Sequence, residues 1–151
     1  MSAYGSDERR VILLVEDNPD DMELTRIAMM DAGLDVDLEW VTDGREALEY
    51  LQQQGSFAAA RRPDLVLLDL NLPQLDGREL LRLVKAEPSL CSIPVVVLTT
   101  SVDDHDVRDA YLAHANAFIS KPADFDLYVR TLRALQAFWF ESALLPPHHV
   151  V

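Results

Sequence analysis

The chain has 151 residues, a length that suits one domain of about 100–200 residues, and 49% of them are hydrophobic, which provides for a core and excludes a disordered chain. A formal net charge of -13 argues against binding nucleic acid or anionic lipid by charge. No apolar stretch is long enough to span a membrane, Met1 to Arg10 is too polar for a signal peptide, and Cys91, the one cysteine, excludes an internal disulfide and fits a reducing cytoplasm.

Residues 1–10 read as a disordered leader, 11–140 as the folded domain and 141–151 as a C-terminal tail. Val11 to Val15 is an unbroken apolar run, the pattern of a strand buried on both faces of a parallel sheet, and it ends in Glu16-Asp17-Asn18-Pro19-Asp20-Asp21. Asn18 or Asp20 caps the helix that follows, with Pro19 in its first turn. Leu24, Ile27, Ala28 and Ala32 share its inward face until Gly33 ends it. Val36, Leu38 and Trp40 alternate with Asp35, Asp37 and Glu39, the period of an edge strand with one wet face. Asp43-Gly44 turns into a short helix with Ala47, Leu48 and Leu51 inward, and Gln52 to Arg62 is a connection. After Pro63, Leu65 to Leu68 forms the central apolar run and stops at Asp69, with Asn71 and Pro73 just beyond.

The helix from Gly77 to near Pro88 turns Leu80, Leu81, Leu83 and Val84 inward. Val95 to Leu98 is the next apolar run and ends in Thr99-Thr100-Ser101. Asp103 or Asp104 caps a helix through Val107, Ala110, Tyr111 and His114. Ala117-Phe118-Ile119 ends in Ser120-Lys121-Pro122, and Asp124 caps a last helix with Tyr128, Leu132, Leu135 and Trp139 on one stripe. The tail frays from Pro146 onward. Strand and helix alternate about five times, which predicts an α/β fold: a doubly wound, five-stranded parallel sheet with right-handed crossovers.

In such sheets ligands bind beyond the carboxyl ends of the strands. Glu16, Asp17, Asp69, Thr99 and Lys121 all fall at those ends, contributed by four strands. Singly, each has an ordinary explanation: a solvated acidic turn, a loop cap, a β-branched strand end, a surface lysine. Their joint placement does not. Two unit charges 4 Å apart repel by about 4 kcal/mol at an effective dielectric of about 20, so three crowded carboxylates call for a counterion, and Mg²⁺ takes carboxylates together with waters. Lys121 supplies a mobile ammonium suited to a phosphoryl oxygen, and Thr99 a hydroxyl donor. A carboxylate nucleophile, a metal, an ammonium and a hydroxyl are the parts of phosphoryl transfer to aspartate. The histidines His105, His114, His148 and His149 have no evident ligand-like partners.

The chain resembles the receiver domains of two-component response regulators, whose fold is the flavodoxin-like (βα)5 sheet. The resemblance rests on Glu16-Asp17, Asp69, Thr99 and Lys121-Pro122 in that order, and it covers residues 10–140. It implies that Asp69 accepts a phosphoryl group from a sensor histidine kinase, and that Glu16, Asp17, Asp69 and the backbone carbonyl of Asn71 hold Mg²⁺. It further implies that Thr99 and Lys121 grip the phosphoryl group, that Thr99 and Phe118 form the switch pair, and that the Lys121–Pro122 bond is cis. Phe118 lacks the hydroxyl that a tyrosine brings to that position in many members. Val15 to Asp21, Thr99-Thr100-Ser101 and Phe138-Trp139-Phe140-Glu141 look most like the receivers paired with phytochrome-type histidine kinases.

Other functions weigh less. An aspartate-nucleophile phosphatase usually carries a second Asp two residues after the nucleophile, and here that residue is Asn71. A flavin carrier needs a phosphate cradle after strand one, where this chain has an acidic run. A phosphorylation-silent scaffold has no use for the intact acceptor set. Phe138, Trp139 and Phe140 cannot all face one side of a helix, so the end of the chain is expected to form a homodimer through the last helix and tail.

Overall fold

The structure is a computed structural model and describes residues 9–100 and 103–148. The expected leader, apart from Arg9 and Arg10, therefore lies outside the described residues, as does Ser101. The elements alternate as expected: β1 (Arg10–Val15), α1 (Pro19–Asp31), β2 (Val36–Val41), α2 (Gly44–Leu51), β3 (Leu65–Leu68), α3 (Gly77–Ala86), β4 (Val95–Thr99), α4 (Asp104–Leu112), β5 (Ala117–Ser120) and α5 (Phe125–Gln136). The strands form one parallel sheet in the order β2-β1-β3-β4-β5. The order reverses direction at β1, which opens a crevice at the carboxyl ends of β1 and β3.

Alternate residues of each strand face opposite layers. Leu13, Val15, Val66, Leu68, Val95 and Val97 pack under α2, α3 and α4. Ile12, Leu14, Leu65, Leu67, Val96 and Leu98 pack under α1 and α5. Both faces of β1, β3 and β4 are covered, which is why those strands read as unbroken apolar runs while β2, at the edge, alternates. An Asn or Asp side chain accepts a backbone N–H at the start of each of the five α-helices: Asn18, Asp43, Asp76, Asp103 and Asp124. This satisfies donors that a helix leaves unpaired.

Several faces differ from their hydropathy. The buried stripe of α1 is Thr25, Ala28, Met29 and Ala32, and Leu24 and Ile27 are exposed. Thr25 faces inward because its hydroxyl lies 2.7 Å from the phenol oxygen of Tyr128 on α5, so a polar residue holds a position that an apolar count passes over. Leu83 is exposed on α3, and on α4 only Ala110 is buried, with Tyr111 exposed and His114 turned into a left-handed conformation (φ 73°) after the helix. No peptide bond among the described residues is cis, so the Lys121–Pro122 bond is trans, the isomer that X–Pro bonds prefer by about 0.5–1 kcal/mol.

The end of the chain is also better packed than a frayed tail. A π-helical segment, Ala137–Ser142, continues α5. Trp139 and Phe140 pack on the α1/α5 core, Arg10 lies 5.6 Å from the Phe140 ring, and Phe138 and Leu144 remain exposed. Pro146 and His148 then return to the amino edge of the sheet, where His148 Nε2 lies 2.9 Å from buried Asp64. Asp64 also accepts the Val11 N–H at 2.8 Å. Residues 149–151 lie outside the described residues.

Gly77 fixes how closely α3 approaches the end of β3. A Cβ there would stand 2.4 Å from the Asp69 carbonyl oxygen and 2.7 Å from Leu70 Cα, and both obstacles are backbone. Gly77→Ala is expected to cost about 1–3 kcal/mol, the usual range for overpacking, read as a lower urea midpoint at unchanged slope. A midpoint equal to that of the unchanged chain would mean that the loop after Asp69 yields freely.

Candidate functional site

Each site residue stands where a strand stops. The backbone registers Val15 beside both Val41 and Leu68, and Thr99 beside Ser120. Asp69 N–H donates to Val15 O at 3.1 Å, and Lys121 N–H donates to Thr99 O at 2.8 Å, so the ladder runs into the site itself. The sheet thereby brings Glu16, Asp17, Asp69, Thr99 and Lys121 together from four strands, as the sequence predicts.

Asp69 is the convergence point. Its Oδ1 accepts the Asn71 N–H at 3.0 Å and the Thr99 hydroxyl at 3.2 Å, and its Oδ2 lies 3.5 Å from Lys121 Nζ. Thr99 is 0% exposed and Glu16 1% exposed, whereas the Asp69 side chain keeps 13% of its surface open to solvent. Lys121 Nζ also makes a short ion pair with Glu16. Glu16 is held further by the Asn18 N–H, at 3.3 Å from its Oε2, and its carbonyl accepts the Trp40 indole N–H at 2.7 Å.

Burial pushes the Glu16 carboxyl above its ordinary value, more strongly than the Lys121 contact pulls it down. Burial acts to lower Lys121, but the hydrogen bond and charge of Glu16, with the charge of Asp69, leave its ammonium above its ordinary value. The pair is held by mutual neutralisation in a partly dry place. Tyr128 lies behind it, its phenol raised by burial, with smaller influences from Thr25, Lys121 and Glu16.

Glu16, Asp17 and Asp69 each offer a carboxylate oxygen, and these oxygens all lie within 4.8 Å of one another. Asp17 is exposed and has no ion-pair or hydrogen-bond partner among the described residues. Three hard oxygen donors, one of them free, fit an oxygen-loving divalent cation that keeps part of its water shell. Phe118 sits on β5 opposite Val97 and packs, half-buried, against the α2/α3/α4 core.

Two contributors escape a reading of the sequence. Trp40 counts there as one of three apolar residues on an edge strand, although its place at the carboxyl end of β2 is where a site residue belongs. Asn18 reads only as a cap, a role it fulfils by accepting the Asp20 and Asp21 N–H groups at 2.8 and 3.2 Å, and its own N–H serves Glu16 as well.

A doubly wound parallel sheet with three carboxylates, a hydroxyl and an ammonium converging at its carboxyl edge is the layout of a signalling receiver, not of a nucleotide or flavin carrier. The chain belongs to the response regulator receiver domain family, whose profile matches residues 12–133. It is 41% identical over 141 residues to the response regulator Rcp1 of Synechocystis sp., covering 93% of this chain and 96% of that one. Its fold is similar to that of the phosphorylated cyanobacterial phytochrome response regulator RcpA, with a TM-score of 0.86 at 42% identity over 92% of this chain and 99% of RcpA. It is also similar to the Mn²⁺-bound form of Rcp1, with a TM-score of 0.83 at 42% identity over 91% and 99% of the two chains. The protein is thus a two-component signalling protein whose family places it downstream of a histidine kinase.

Proposed function

We propose that Asp69 is the phosphoacceptor, that Glu16, Asp17, Asp69 and the Asn71 carbonyl bind Mg²⁺, and that the donor is a phytochrome-type histidine kinase in the cytoplasm. The observation that carries the reading is the convergence on one solvent-reachable carboxylate of a buried hydroxyl and a half-buried ammonium. The Asp69 carboxylate attacks the phosphorus of the kinase phosphohistidine, the new O–P bond forms as the N–P bond breaks, and the imidazole leaves. Mg²⁺ supplies charge neutralisation for the transferring oxygens. Lys121 is positioned to leave Glu16 for a phosphoryl oxygen, and Thr99 to donate its hydroxyl to another. Likeness to RcpA and Rcp1 supports the choice of kinase, and the exposed lone Cys91 agrees with a reducing compartment. Incubation with a small phosphodonor and Mg²⁺ is expected to add one phosphoryl group by intact mass, and phosphotransfer profiling to favour a phytochrome-type kinase. A chain that stays unlabelled with every donor overturns the proposal.

The same reading includes a homodimer built on α5 and the segment after it. Trp139 and Phe140 pack, half-buried, against the core, but Phe138 remains 57% exposed and Leu144, six residues on, lies fully open. Exposed aromatics of this kind favour interface cores. Light scattering is expected to give a dimer for the full chain and a monomer for the Phe138→Ser, Leu144→Ser variant. A monomeric full chain at micromolar concentration, with and without phosphodonor, rules the dimer out.

A further inference from the structure

The charged and hydroxyl groups of the site come from four strands, and β2 is not among them. It nevertheless grips the residue beside which Asp17 stands. Glu16 N–H donates to Val41 O at 3.1 Å, one step beyond the paired residues of β1 and β2. Glu16 O accepts the Trp40 indole N–H at 2.7 Å. Both backbone polar groups of Glu16 are therefore bonded to neighbouring residues of one edge strand.

The carbonyl of Glu16 belongs to the peptide unit that leads into Asp17. The next peptide unit is held as well, since Asn18 N–H donates to Glu16 Oε2 at 3.3 Å. Asn18 in turn caps α1. Asp17 thus sits between two anchored peptide planes, and a planar backbone has only two soft dihedrals between them. The Asp17 side chain is exposed and bonds to nothing among the described residues, yet one of its oxygens lies within 4.8 Å of those of Glu16 and Asp69. Like charges at that range repel, so an unanchored aspartate there would turn its carboxylate out to water. The backbone keeps this one in the cluster. Of its two outer anchors, the Asn18 bond uses the Glu16 carboxylate, which a cation would also claim. The Trp40 bond uses only the Glu16 carbonyl. Any half-buried indole finds a partner for its N–H; here the partner is the peptide that aims a carboxylate.

We propose that Trp40 is a positioning residue of the cation site: its indole N–H pins the Glu16–Asp17 peptide and so holds the Asp17 carboxylate within reach of an ion shared with Glu16 and Asp69. The inference rests on the cation reading above. A ligand already in place loses less freedom on binding than one that must be brought in, so the indole raises affinity without touching the ion. It also favours one cation over another. Mg²⁺ demands a near-ideal octahedron, whereas Ca²⁺ accepts a flexible shell, so Mg²⁺ depends more on a fixed Asp17.

Isothermal titration of the full chain with Mg²⁺ and with Ca²⁺ tests this in four chains: the unchanged one, Trp40→Phe, Asp17→Ala and the double variant. Trp40→Phe keeps an aromatic ring and loses the N–H. It is expected to weaken Mg²⁺ binding about fivefold, the scale of one neutral hydrogen bond, and Ca²⁺ binding by less. In the Asp17→Ala background the same change is expected to alter Mg²⁺ affinity by less than about twofold, because the anchor has no carboxylate left to aim. Urea titration shows whether W40F is folded. The sulfur isostere benzothienylalanine at position 40, in a chain carrying Trp139→Phe, keeps the ring shape and loses only the N–H, and the same weakening is expected from it. Equal weakening by W40F with and without Asp17 would mean that Trp40 serves the fold alone, and would overturn the proposal. So would an isostere chain that binds Mg²⁺ as tightly as its tryptophan counterpart. Either result leaves the cation reading intact. An unchanged chain that binds no Mg²⁺, or binds it no better than Asp17→Ala does, would overturn the cation reading and the proposal with it.

Discussion

Asp69→Asn is expected to leave a folded chain that takes up no phosphoryl group from any donor. The amide oxygen keeps the place of Oδ1 and can still accept from Asn71 N–H and the Thr99 hydroxyl, now at 3.0 and 3.2 Å, so the loop has no reason to move. What disappears is the nucleophile, because a neutral amide has no anionic oxygen to attack phosphorus. One of three crowded negative charges disappears as well. Lys121 retains Glu16 as its partner, so the variant is expected to unfold at a urea concentration no lower than that of the unchanged chain. Intact mass after incubation with a small phosphodonor and Mg²⁺ checks the first expectation, and urea titration the second. A variant that still gains a phosphoryl mass, mapped to another residue, removes Asp69 from its assigned role. Loss of label bears on Asp69 only in a variant that is still folded, which is why the two measurements belong together.

The fold is legible because the information is redundant. β1, β3 and β4 are covered on both faces, so each announces itself as an apolar block, and each block stops at a residue with chemistry: Glu16, Asp69 and Thr99. The site follows from the fold, since parallel strands bring their ends to one edge whatever the sequence distance between them. The misreadings share a cause. Leu24, Ile27 and Leu83 are apolar and exposed, while Thr25 is polar and buried. Hydropathy measures the side chain alone, and burial depends on the partner, here the Tyr128 hydroxyl across the α1/α5 contact. Trp40 and Tyr111 stay hidden for a related reason. Each bonds a backbone group, Glu16 O and Phe118 N–H, and backbone groups leave no mark on the sequence. The tail belongs to the same class, since His148 and Asp64 are 84 positions apart and only the folded sheet brings them together.

The cation site is expected to respond in opposite directions to two substitutions. Asp17→Ala removes a proposed ligand that is exposed and otherwise unpaired among the described residues, so nothing structural is lost with it. Affinity for Mg²⁺ and Mn²⁺ is then expected to fall by at least about tenfold, the lower end of what even outer-sphere changes do to a metal site. Lys121→Met removes a positive charge that sits on Glu16 and lies 3.5 Å from Asp69 Oδ2. Three carboxylates then face one another with no internal cation, and the repulsion that a divalent ion relieves grows. That variant is expected to bind the cation more tightly than the unchanged chain while losing phosphoryl uptake, because the ammonium is needed for the transferred group. The readout lies within the site: the Trp40 indole donates to the carbonyl of Glu16, so its emission reports the arrangement there, and Trp40→Phe isolates the contribution of Trp139. Isothermal titration provides an independent measure. Unchanged affinity in the Asp17 variant would move the metal away from these carboxylates. Weaker binding in the Lys121 variant would mean that the lysine organises the ligands rather than competing with the ion for their charge.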